Sequence, residues 1–374
     1  MNSISAHDVV VVGGGAAGLS AAVALARSLR SVVVVDAGEP RNAPAGGAHN
    51  LLGREGIPPL ELLAAGRREA EQYGAQIVRD RAVTARAEGD GFTVGLAGGG
   101  ALRARRLLLA SGLVDELPDV PGVAELWGRN VLHCPYCHGW EVRGQRIGVL
   151  GAGPMSIHQT LLFRQLSEDV TFFPHRMPDP GAEAWEQLAA LGVRVVEGPV
   201  RRLRTEEDAL RAVVLDDGQE VLVDAVVVAP RFAARAELYE QLGGTLTEHP
   251  VGALIAMGPM GSTEVPGVWA AGNAGDLSAM VSAAAGEGVG AAAAINADLV
   301  AEDAAAAVTG HGQPAKTSVR KDICGRSSTT SKVSHSVLSR PWRSVAVTSA
   351  VCTPGSRSTG SSSCQRWVVL WATW

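Results

Sequence analysis

The chain has 374 residues, enough for two to three domains and for a sizeable buried core. Apolar residues make up 46% of the sequence, charged residues make up 19%, and the formal net charge is −5. This balance excludes a disulfide-stapled miniprotein. It also argues against DNA or RNA as a partner, because nucleic-acid-binding proteins carry a marked basic excess.

The sequence predicts neither a membrane span nor a secretion signal. It contains no run of 18 apolar residues, and the first ionisable residues are His7 and Asp8 rather than a basic leader. Five cysteines in a chain of this length do not indicate a disulfide framework. We therefore expect a cytoplasmic protein that does not contact membranes.

The first predicted element is a nucleotide-binding βαβ unit. Residues 8–12 and 31–35 are valine runs typical of buried parallel strands, and a helix rich in alanine and leucine lies between them. The turn before the helix contains Gly13, Gly15 and Gly18. In order, these glycines favour a tight turn, a close approach of the backbone to a pyrophosphate, and close packing of helix on strand. Asp36 ends the second strand, where a carboxylate accepts hydrogen bonds from a ribose.

Residues 76–112 predict a small antiparallel meander that returns to the first sheet. Glycine-rich turns at 88–91 and 98–100 separate its strands. A similar hairpin is predicted later, where residues 210–215 and 221–228 flank a turn at 216–219. Both halves of the chain are therefore predicted to contain antiparallel strands in addition to a parallel sheet.

A redox pair is predicted at Cys134-Pro-Tyr-Cys137, which is followed by His138. CxxC spacing at a helix start lowers a thiol pKa, and a neighbouring histidine can move a proton during exchange. Zinc is one alternative, but a structural zinc site needs four ligands, and the other three cysteines lie far along the chain. We therefore predict no metal, and the remaining alternative is two inert buried cysteines.

A second βαβ pattern begins at residue 146. Its strands are predicted at 146–150 and 170–173, and its turn contains Gly151 and Gly153, with Ser156 in place of the third glycine. No acid ends the second strand. Arg176 follows it instead, and an arginine there can hold the extra phosphate of NADP. The pattern predicts an NADPH site, and the alternative is a nucleotide fold kept as a scaffold.

The composition changes near residue 311. All three lysines of the chain, three of its five cysteines and a single acid, Asp322, lie in residues 311–374, which show no apolar periodicity. This segment is either a basic, serine-rich interaction tail or a stretch that the fold does not use, such as one translated out of frame. We favour the second interpretation and predict that a chain ending near Gly310 keeps its activity.

In this order, the motifs resemble those of the low-molecular-weight thioredoxin reductase family, which are flavoproteins of the class II pyridine nucleotide-disulfide oxidoreductases. The resemblance spans about residues 7–300 and includes four further motif positions: Asn50, Gly112, Gly272 and Asp276. It implies that the first unit binds FAD, that the second binds NADPH, and that the CxxC pair lies near the isoalloxazine ring. It also implies that Asp276 holds the flavin ribitol and that Asn50 lies against the flavin. Cys137 would face the flavin, and Cys134 would exchange with the substrate.

Two departures from the family are similar to a branch of dithiol oxidases, such as those that close the disulfides of gliotoxin and holomycin. His138 stands where the family commonly has an aspartate, and Arg176 is a single basic residue where the family has several. In that branch a small dithiol reduces the CxxC pair, dioxygen reoxidises the flavin, and NADPH is dispensable. The resemblance therefore implies an FAD-dependent oxidase of a small-molecule dithiol. The alternatives are an NADPH-dependent reductase of a thioredoxin-like protein and a flavin-binding redox sensor without turnover.

The expected fold is α/β, with two Rossmann-like nucleotide-binding domains, the second inserted into the first, and an atypical C-terminal tail. We expect the FAD-binding domain at residues 1–117 and 248–310, and a NAD(P)H-binding-like domain carrying the CxxC pair at 118–247. A low-acid, serine-rich tail without regular structure is expected at 311–374. The resemblance also implies a homodimer formed through the flavin domains.

Overall fold

The structure is a computed structural model, and it describes residues 6–153 and 155–310. Within these ranges, helices α1 to α8 are, in order, Ala16–Arg27, Pro59–Gln72, Val123–Leu126, Pro135–His138, Met155–Arg164, Ala182–Ala190, Glu237–Gln241 and Val281–Gly310. Short 3₁₀ helices lie at Pro259–Gly261 and Gly272–Ala274.

Strands form the rest of the regular structure. Strands β1 to β10 are Ala6–Val12, Val32–Val35, Gln76–Val78, Ala82–Glu88, Gly91–Leu96, Ala101–Leu109, Leu113–Glu116, Val131–Leu132, Ile147–Leu150 and Val170–Phe173. Strands β11 to β19 are Arg194–Val195, Val200–Glu206, Ala209–Leu215, Glu220–Leu222, Ala225–Val227, Arg231–Ala234, Leu246–His249, Gly252–Ile255 and Val268–Ala270.

The largest sheet has the strand order β3-β2-β1-β6-β5-β4, with β19 beside β6. Its β1, β2, β3, β6 and β19 strands are parallel, whereas β4, β5 and β6 form the antiparallel meander. Val9 and Val11 pack against a cluster that includes α1 and α8, and Val10 and Val12 pack into a second cluster on the other face. Because both faces are covered, the strand is a continuous apolar run rather than an alternating one.

The second nucleotide unit forms a separate parallel sheet with the order β11-β10-β9-β15-β8. Beside it, β12, β13 and β14 form an antiparallel sheet. The hairpin predicted from residues 210–228 is present only as β13 and β14, because the rest of its second strand, β15, pairs in parallel with β8 and β9. The chain leaves the first sheet through β7 and returns through β16. These two strands pair antiparallel, with Leu113 opposite Ala234 and Glu116 opposite Arg231. The fold prediction of two Rossmann-like units, one within the other, is confirmed.

The exact domain boundaries remain predictions, and the predicted tail at 311–374 lies outside the described residues. Among the helices that the structure describes, none is both long and apolar enough to cross a membrane.

Ion pairs fasten the C-terminal half of α8 to the first sheet. Arg105 on β6 contacts Glu302 and Asp303, and Arg106 donates to Asp298 at 2.6 Å and also contacts Glu302. The hydrogen bond from Arg105 is the main reason that the pKa of Glu302 is lowered. These contacts fix the C-terminal end of α8. The first turns of the same helix border the candidate functional site.

Candidate functional site

The first glycine-rich turn leaves the start of α1 open to a cavity. A side chain at Gly13 would meet the backbone oxygen of Ala110 at 2.2 Å, and one at Gly18 would meet the oxygen of Gly13 at 1.9 Å. By contrast, the Cβ position of Gly15, which caps α1, has open space around it: apart from its chain neighbours and the helix backbone, no atom of the described residues lies within 4 Å. Free backbone N–H groups at a helix start favour anions, so this turn fits a pyrophosphate.

Asp36 lies directly after β2 and also lines the cavity. Its Oδ1 accepts a hydrogen bond from the Gly38 N–H at 3.0 Å. Its Oδ2 is buried, lies 3.6 Å from the Arg67 guanidinium, and has no hydrogen-bond partner in the part of the chain that the structure describes. A buried acceptor without a donor is costly, and a ribose hydroxyl would supply that donor. The first unit therefore fits a dinucleotide.

The cavity has a volume of about 1390 Å³ and runs from the glycine-rich turn to the CxxC pair. Ligand pockets typically measure roughly 300–1,000 Å³. This cavity therefore has room for a dinucleotide and for a second, smaller molecule. Gly112 and Gly272, two of the motif positions, also line it.

Asp276 and Asn50, which the resemblance assigns to flavin contacts, do not line this cavity in the described structure. Asp276 instead accepts hydrogen bonds from the N–H and the hydroxyl of Ser278, at 2.8 and 2.7 Å. Asn50 donates from Nδ2 to the backbone oxygen of Tyr136 at 2.8 Å, so it supports the CxxC segment from outside. Asn273, three residues before Asp276, lines the cavity and is the better-placed polar side chain.

The two cysteines lie at the far end of the cavity. Cys134 is the N-cap of α4, Cys137 lies within it, and their Sγ atoms are 2.6 Å apart. The hydrogen bond from Cys137 lowers the pKa of Cys134 to about 7, helped by the N–H groups of Tyr136 and Cys137. The same bond, together with burial, raises the pKa of Cys137. The reduced pair therefore has one reactive thiolate near neutral pH.

His138 follows Cys137 and also lines the cavity. Burial lowers its pKa, so the imidazole is neutral at pH 7. Its Nε2 is buried and has no hydrogen-bond partner among the described residues. A neutral imidazole with a free nitrogen can accept a proton from a thiol.

His133, the residue before Cys134, is half-buried and held from two sides. Its Nδ1 lies 3.1 Å from Nε2 of Gln159, and its ring meets Phe232 edge-on with 5.0 Å between the ring centroids. Burial lowers its pKa. His133 therefore helps to fix the strand end that carries Cys134.

Arg41 is a cavity residue that sequence reasoning missed. Its guanidinium binds both carboxylate oxygens of Asp115 at 2.8 and 2.7 Å, lies 5.2 Å from the ring centroid of Phe232, and is 3.4 Å from the Asn273 side-chain oxygen. These partners come from β7, β16 and the turn after β19. Arg41 therefore joins the first nucleotide unit to both strands that connect the two sheets.

The second glycine-rich turn is arranged differently. A Cβ at Gly151 would lie 2.6 Å from the oxygen of Pro174 and 2.7 Å from the sulfur of Met177, whereas a Cβ at Gly153 would meet no atom of the described residues within 4 Å other than its chain neighbours. The buried hydroxyl of Ser156 accepts a hydrogen bond from the Ala152 N–H at 3.0 Å. None of the predicted positions in this unit lines the cavity within residues 6–153 and 155–310: Gly151, Gly153, Ser156 and Arg176.

After β10, where an acid or a basic cluster would bind a ribose or its phosphate, the side chain of His175 turns inward. His175 has a φ of 55°, and its Nδ1 accepts a hydrogen bond from the Val200 N–H at 2.8 Å. The structure therefore brings the first unit and the dithiol together but leaves the second glycine-rich turn apart from them.

Comparison with known proteins identifies the family of this chain. Residues 7–288 match the family described as pyridine nucleotide-disulphide oxidoreductase. Two fungal relatives are "Thioredoxin reductase tcpT" of Claviceps purpurea (strain 20.1), 32% identical over 74% of this chain and 89% of that protein, and "Thioredoxin reductase sirT" of Leptosphaeria maculans, 31% identical over 81% of this chain and 97% of that protein. The solved structure described as "Crystal structure of HlmI" is 46% identical, covers 82% of this chain and 96% of its own, and has a TM-score of 0.77. The chain belongs to the pyridine nucleotide-disulphide oxidoreductase family, as a flavoprotein oxidoreductase of the thioredoxin reductase type that acts on sulfur groups.

Proposed function

We propose that the protein is an FAD-dependent oxidase of a small-molecule dithiol, with dioxygen as the final acceptor. One observation carries this proposal: a single cavity contains both the open dinucleotide cradle of the first unit and the Cys134/Cys137 pair. The turn of the second unit lies outside this cavity, with Met177 packed against Gly151. A dithiol in the cavity can reach the cysteines without any contribution from the glycine-rich turn of the second unit.

FAD is the cofactor that this cradle supports best. The start of α1 at Gly15 would hold the pyrophosphate, Asp36 would accept from the adenosine ribose, and Asn273 would contact the flavin end. When bound, FAD supplies the two-electron acceptor that restores the Cys134–Cys137 disulfide, and dioxygen takes the pair as hydrogen peroxide. Overall, one dithiol and one dioxygen give one disulfide and one hydrogen peroxide.

The residues of the chain carry out the exchange itself. A substrate thiolate attacks the enzyme disulfide and forms a mixed disulfide, and the second substrate thiol then releases the cyclic product and leaves both cysteines reduced. Exchange passes through the same mixed disulfide in either direction, so the sulfur with the lower pKa, Cys134, is the one that bonds to the substrate. The neutral imidazole of His138 accepts the proton of the attacking thiol.

A second function, an NADPH-dependent reductase of a thioredoxin-like protein, is favoured by one feature. The second turn keeps Gly151 and Gly153, and the Cβ position of Gly153 is open. The names of the relatives tcpT and sirT, both thioredoxin reductases, point in the same direction. The segment after β10 argues against the reductase function, because it has neither an acid nor a basic cluster to bind the ribose or phosphate of a nucleotide. His175 stands there instead, and its side chain is held by the Val200 N–H.

An anaerobic titration of the purified yellow protein separates these functions. We expect dithiothreitol to bleach the flavin absorbance and NADPH to leave it unchanged, and we expect air to restore the colour with formation of hydrogen peroxide. Bleaching by NADPH alone would establish the reductase instead. If neither reagent bleached the flavin, the protein would be a redox sensor without turnover. The Cys134→Ser/Cys137→Ser double variant is the control for direct reduction by dithiothreitol.

The family resemblance also supports a homodimer formed through the flavin domains, acting in the cytoplasm. Light scattering at micromolar protein concentration tests the dimer, and a monomer mass would contradict it without affecting the flavin proposal.

A further inference from the structure

One face of α5 lines the outer part of the cavity, beside the sulfurs. Met155, His158 and Leu162 stand at positions i, i+3 and i+7, so they share one face of the helix. All three line the cavity that contains Cys134 and Cys137. The opposite face, which includes Ile157 and Phe163, is buried against β9 and its neighbours. The cavity-facing side chains of α5 are therefore not part of the core of the second unit.

Direct contacts fix this face beside the cysteines. Gln159, the residue after His158, donates from Nε2 to the backbone oxygens of His133 at 3.0 Å and Val228 at 3.3 Å. His133 directly precedes Cys134. Farther along, the Leu166 side chain lies 2.4 Å from the Cβ position of Gly139, which leaves no space between the end of α5 and the end of the CxxC helix. A molecule that reaches Cys134 therefore meets the exposed face of α5.

The chemistry of this face is mainly apolar. The thioether of Met155, the side chain of Leu162 and the exposed ring of Tyr136 give a hydrocarbon surface, and a thioether packs well on aromatic rings. The His158 imidazole is exposed and has no hydrogen-bond partner in the described ranges. No carboxylate, lysine or arginine belongs to this group of four side chains. The surface thus offers mainly apolar contact, with the His158 imidazole and the Tyr136 hydroxyl as its hydrogen-bonding groups.

Building on the proposed dithiol oxidase function, we propose that this face of α5 binds the body of the substrate. Met155 and Leu162 pack against an apolar ring of the dithiol, and His158 forms a hydrogen bond with a polar group on that ring. The substrate class is therefore a dithiol that carries an apolar ring with a hydrogen-bonding group. In the reaction the two S–H bonds of this dithiol are replaced by one S–S bond, and the Cys134–Cys137 disulfide accepts the two electrons and becomes two thiols.

The test uses the holoenzyme and three dithiols: dithiothreitol, benzene-1,2-dimethanethiol, and the same aromatic dithiol bearing a ring carboxamide. In Met155→Ala/Leu162→Ala, we expect kcat/KM for the aromatic dithiols to fall about tenfold relative to dithiothreitol, mainly through KM, because apolar contacts select by about this factor. Leu222 is an exposed leucine of the same domain and lies outside the cavity. Leu222→Ala is therefore the matched control, and it should leave the ratio of kcat/KM between the aromatic dithiols and dithiothreitol unchanged.

His158 is tested with a cycle that combines one substitution and one chemical change. Deleting the carboxamide from the substrate should lower kcat/KM about fivefold, and so should replacing His158 with alanine. When both changes are made, kcat/KM should fall no further than with either change alone. Independent, multiplicative losses would overturn the assignment of His158. Unchanged substrate ratios in Met155→Ala/Leu162→Ala, in an enzyme that still oxidises dithiols, would overturn the apolar part and leave the oxidase proposal intact.

Binding to the oxidised holoenzyme separates the failure of this inference from the failure of the proposed function. Calorimetry with the cyclic disulfide of benzene-1,2-dimethanethiol should show binding that Met155→Ala weakens and Leu222→Ala does not. If the holoenzyme oxidised no dithiol but this pattern held, the oxidase proposal would fail and the recognition face would stand. Equal binding by wild type and Met155→Ala would refute the face whatever the turnover.

Discussion

The two βαβ units start from the same backbone plan and differ in what surrounds their glycine-rich turns. In the first unit, Gly15 opens into the cavity, and Asp36 presents a buried oxygen that has no hydrogen-bond partner among the described residues. In the second unit, Met177 packs against Gly151, and His175 turns inward to hold the backbone of β12. The glycines alone therefore do not decide whether a turn binds a ligand. The residues that follow the second strand of each unit decide whether its turn can bind a ligand.

Equivalent substitutions in the two turns should have opposite outcomes, and this is the largest effect we expect. Gly15→Val places a branched side chain in the pyrophosphate path, and its Cβ position has open space around it within the described residues, so the protein should fold and lose nearly all its flavin. Gly153→Val, which also has open space around its Cβ position, should keep full flavin content and dithiol turnover. Flavin-to-protein ratio and circular dichroism measure both. Stoichiometric flavin in Gly15→Val would refute the assignment of the first unit.

The domain of the second unit carries both redox cysteines. If its contribution to the reaction is this cysteine pair rather than a bound nucleotide, replacing either cysteine should abolish turnover. We expect Cys134→Ser and Cys137→Ser to lower dithiol oxidation by about 10³-fold or more, since each removes a reacting group. Cys134→Ser should show a long-wavelength absorbance band from the Cys137 thiolate beside the flavin, and Cys137→Ser should trap substrate as a mixed disulfide without that band. Wild-type turnover in both variants would remove every role assigned to the pair.

His138→Ala should slow dithiol oxidation by about 100-fold, the usual scale for removing a positioned acid or base. Flavin content and the alkylation rate of Cys134 should stay close to wild type, because the imidazole acts on the proton and not on the fold. Added imidazole should restore part of the rate. A rate within about twofold of wild type would show that another group accepts the proton.

The pH dependence of thiol alkylation tests how the two sulfurs are coupled. In the reduced enzyme, the reaction of Cys134 with iodoacetamide should rise with pH and reach half its maximum near pH 7, because the thiolate reacts and the pKa of Cys134 is about 7. Cys137→Ala removes the largest cause of the lowered pKa. The midpoint should then move towards the ordinary value of about 8.5, which slows alkylation at pH 7 by about tenfold. An unchanged midpoint would contradict the Sγ–Sγ hydrogen bond as the cause.

The smallest effect is expected at the position where a nucleotide phosphate would bind. Arg176→Ala should change dithiol oxidation by less than about twofold, because Arg176 does not line the cavity in the described structure. Stopped-flow reduction by NADPH is the sharper measurement. If NADPH reduced the wild-type flavin and this variant lost that reaction, the second unit would bind a nucleotide after all.

Much of the fold could be read from local pattern. The valine runs of β1 and β2, the glycine turns and the CxxC pair are signals carried by neighbouring residues, and each lies in the predicted element. The Arg41 cluster could not be found in this way, since Arg41 and Asp115 are far apart in sequence and only the sheet connections bring them together. Nothing in their local composition marks them as partners.

The choice between Asn273 and Asp276 shows a different limit. Both lie in one short segment after Gly272, and the motif resemblance favoured the acid. Three residues of a tight turn point their side chains in different directions, so only the folded turn shows that Asn273 lines the cavity. The α5 face was missed for a similar reason, because the predicted nucleotide turn drew attention to the start of that helix rather than to its side.

The pairing of β7 with β16 makes the enzyme separable into parts. Glu116 and Arg231 are directly opposite each other in an antiparallel ladder, so a two-residue Asn-Gly turn could join them as a hairpin in place of residues 117–230. The shortened chain would keep Gly15, Asp36 and Asn273 and lose both cysteines. The dinucleotide site and the redox cysteines thus lie on separate parts of the chain, joined by one pair of strands. A different thiol-carrying domain could be inserted between Glu116 and Arg231 while the flavin-binding part stays the same.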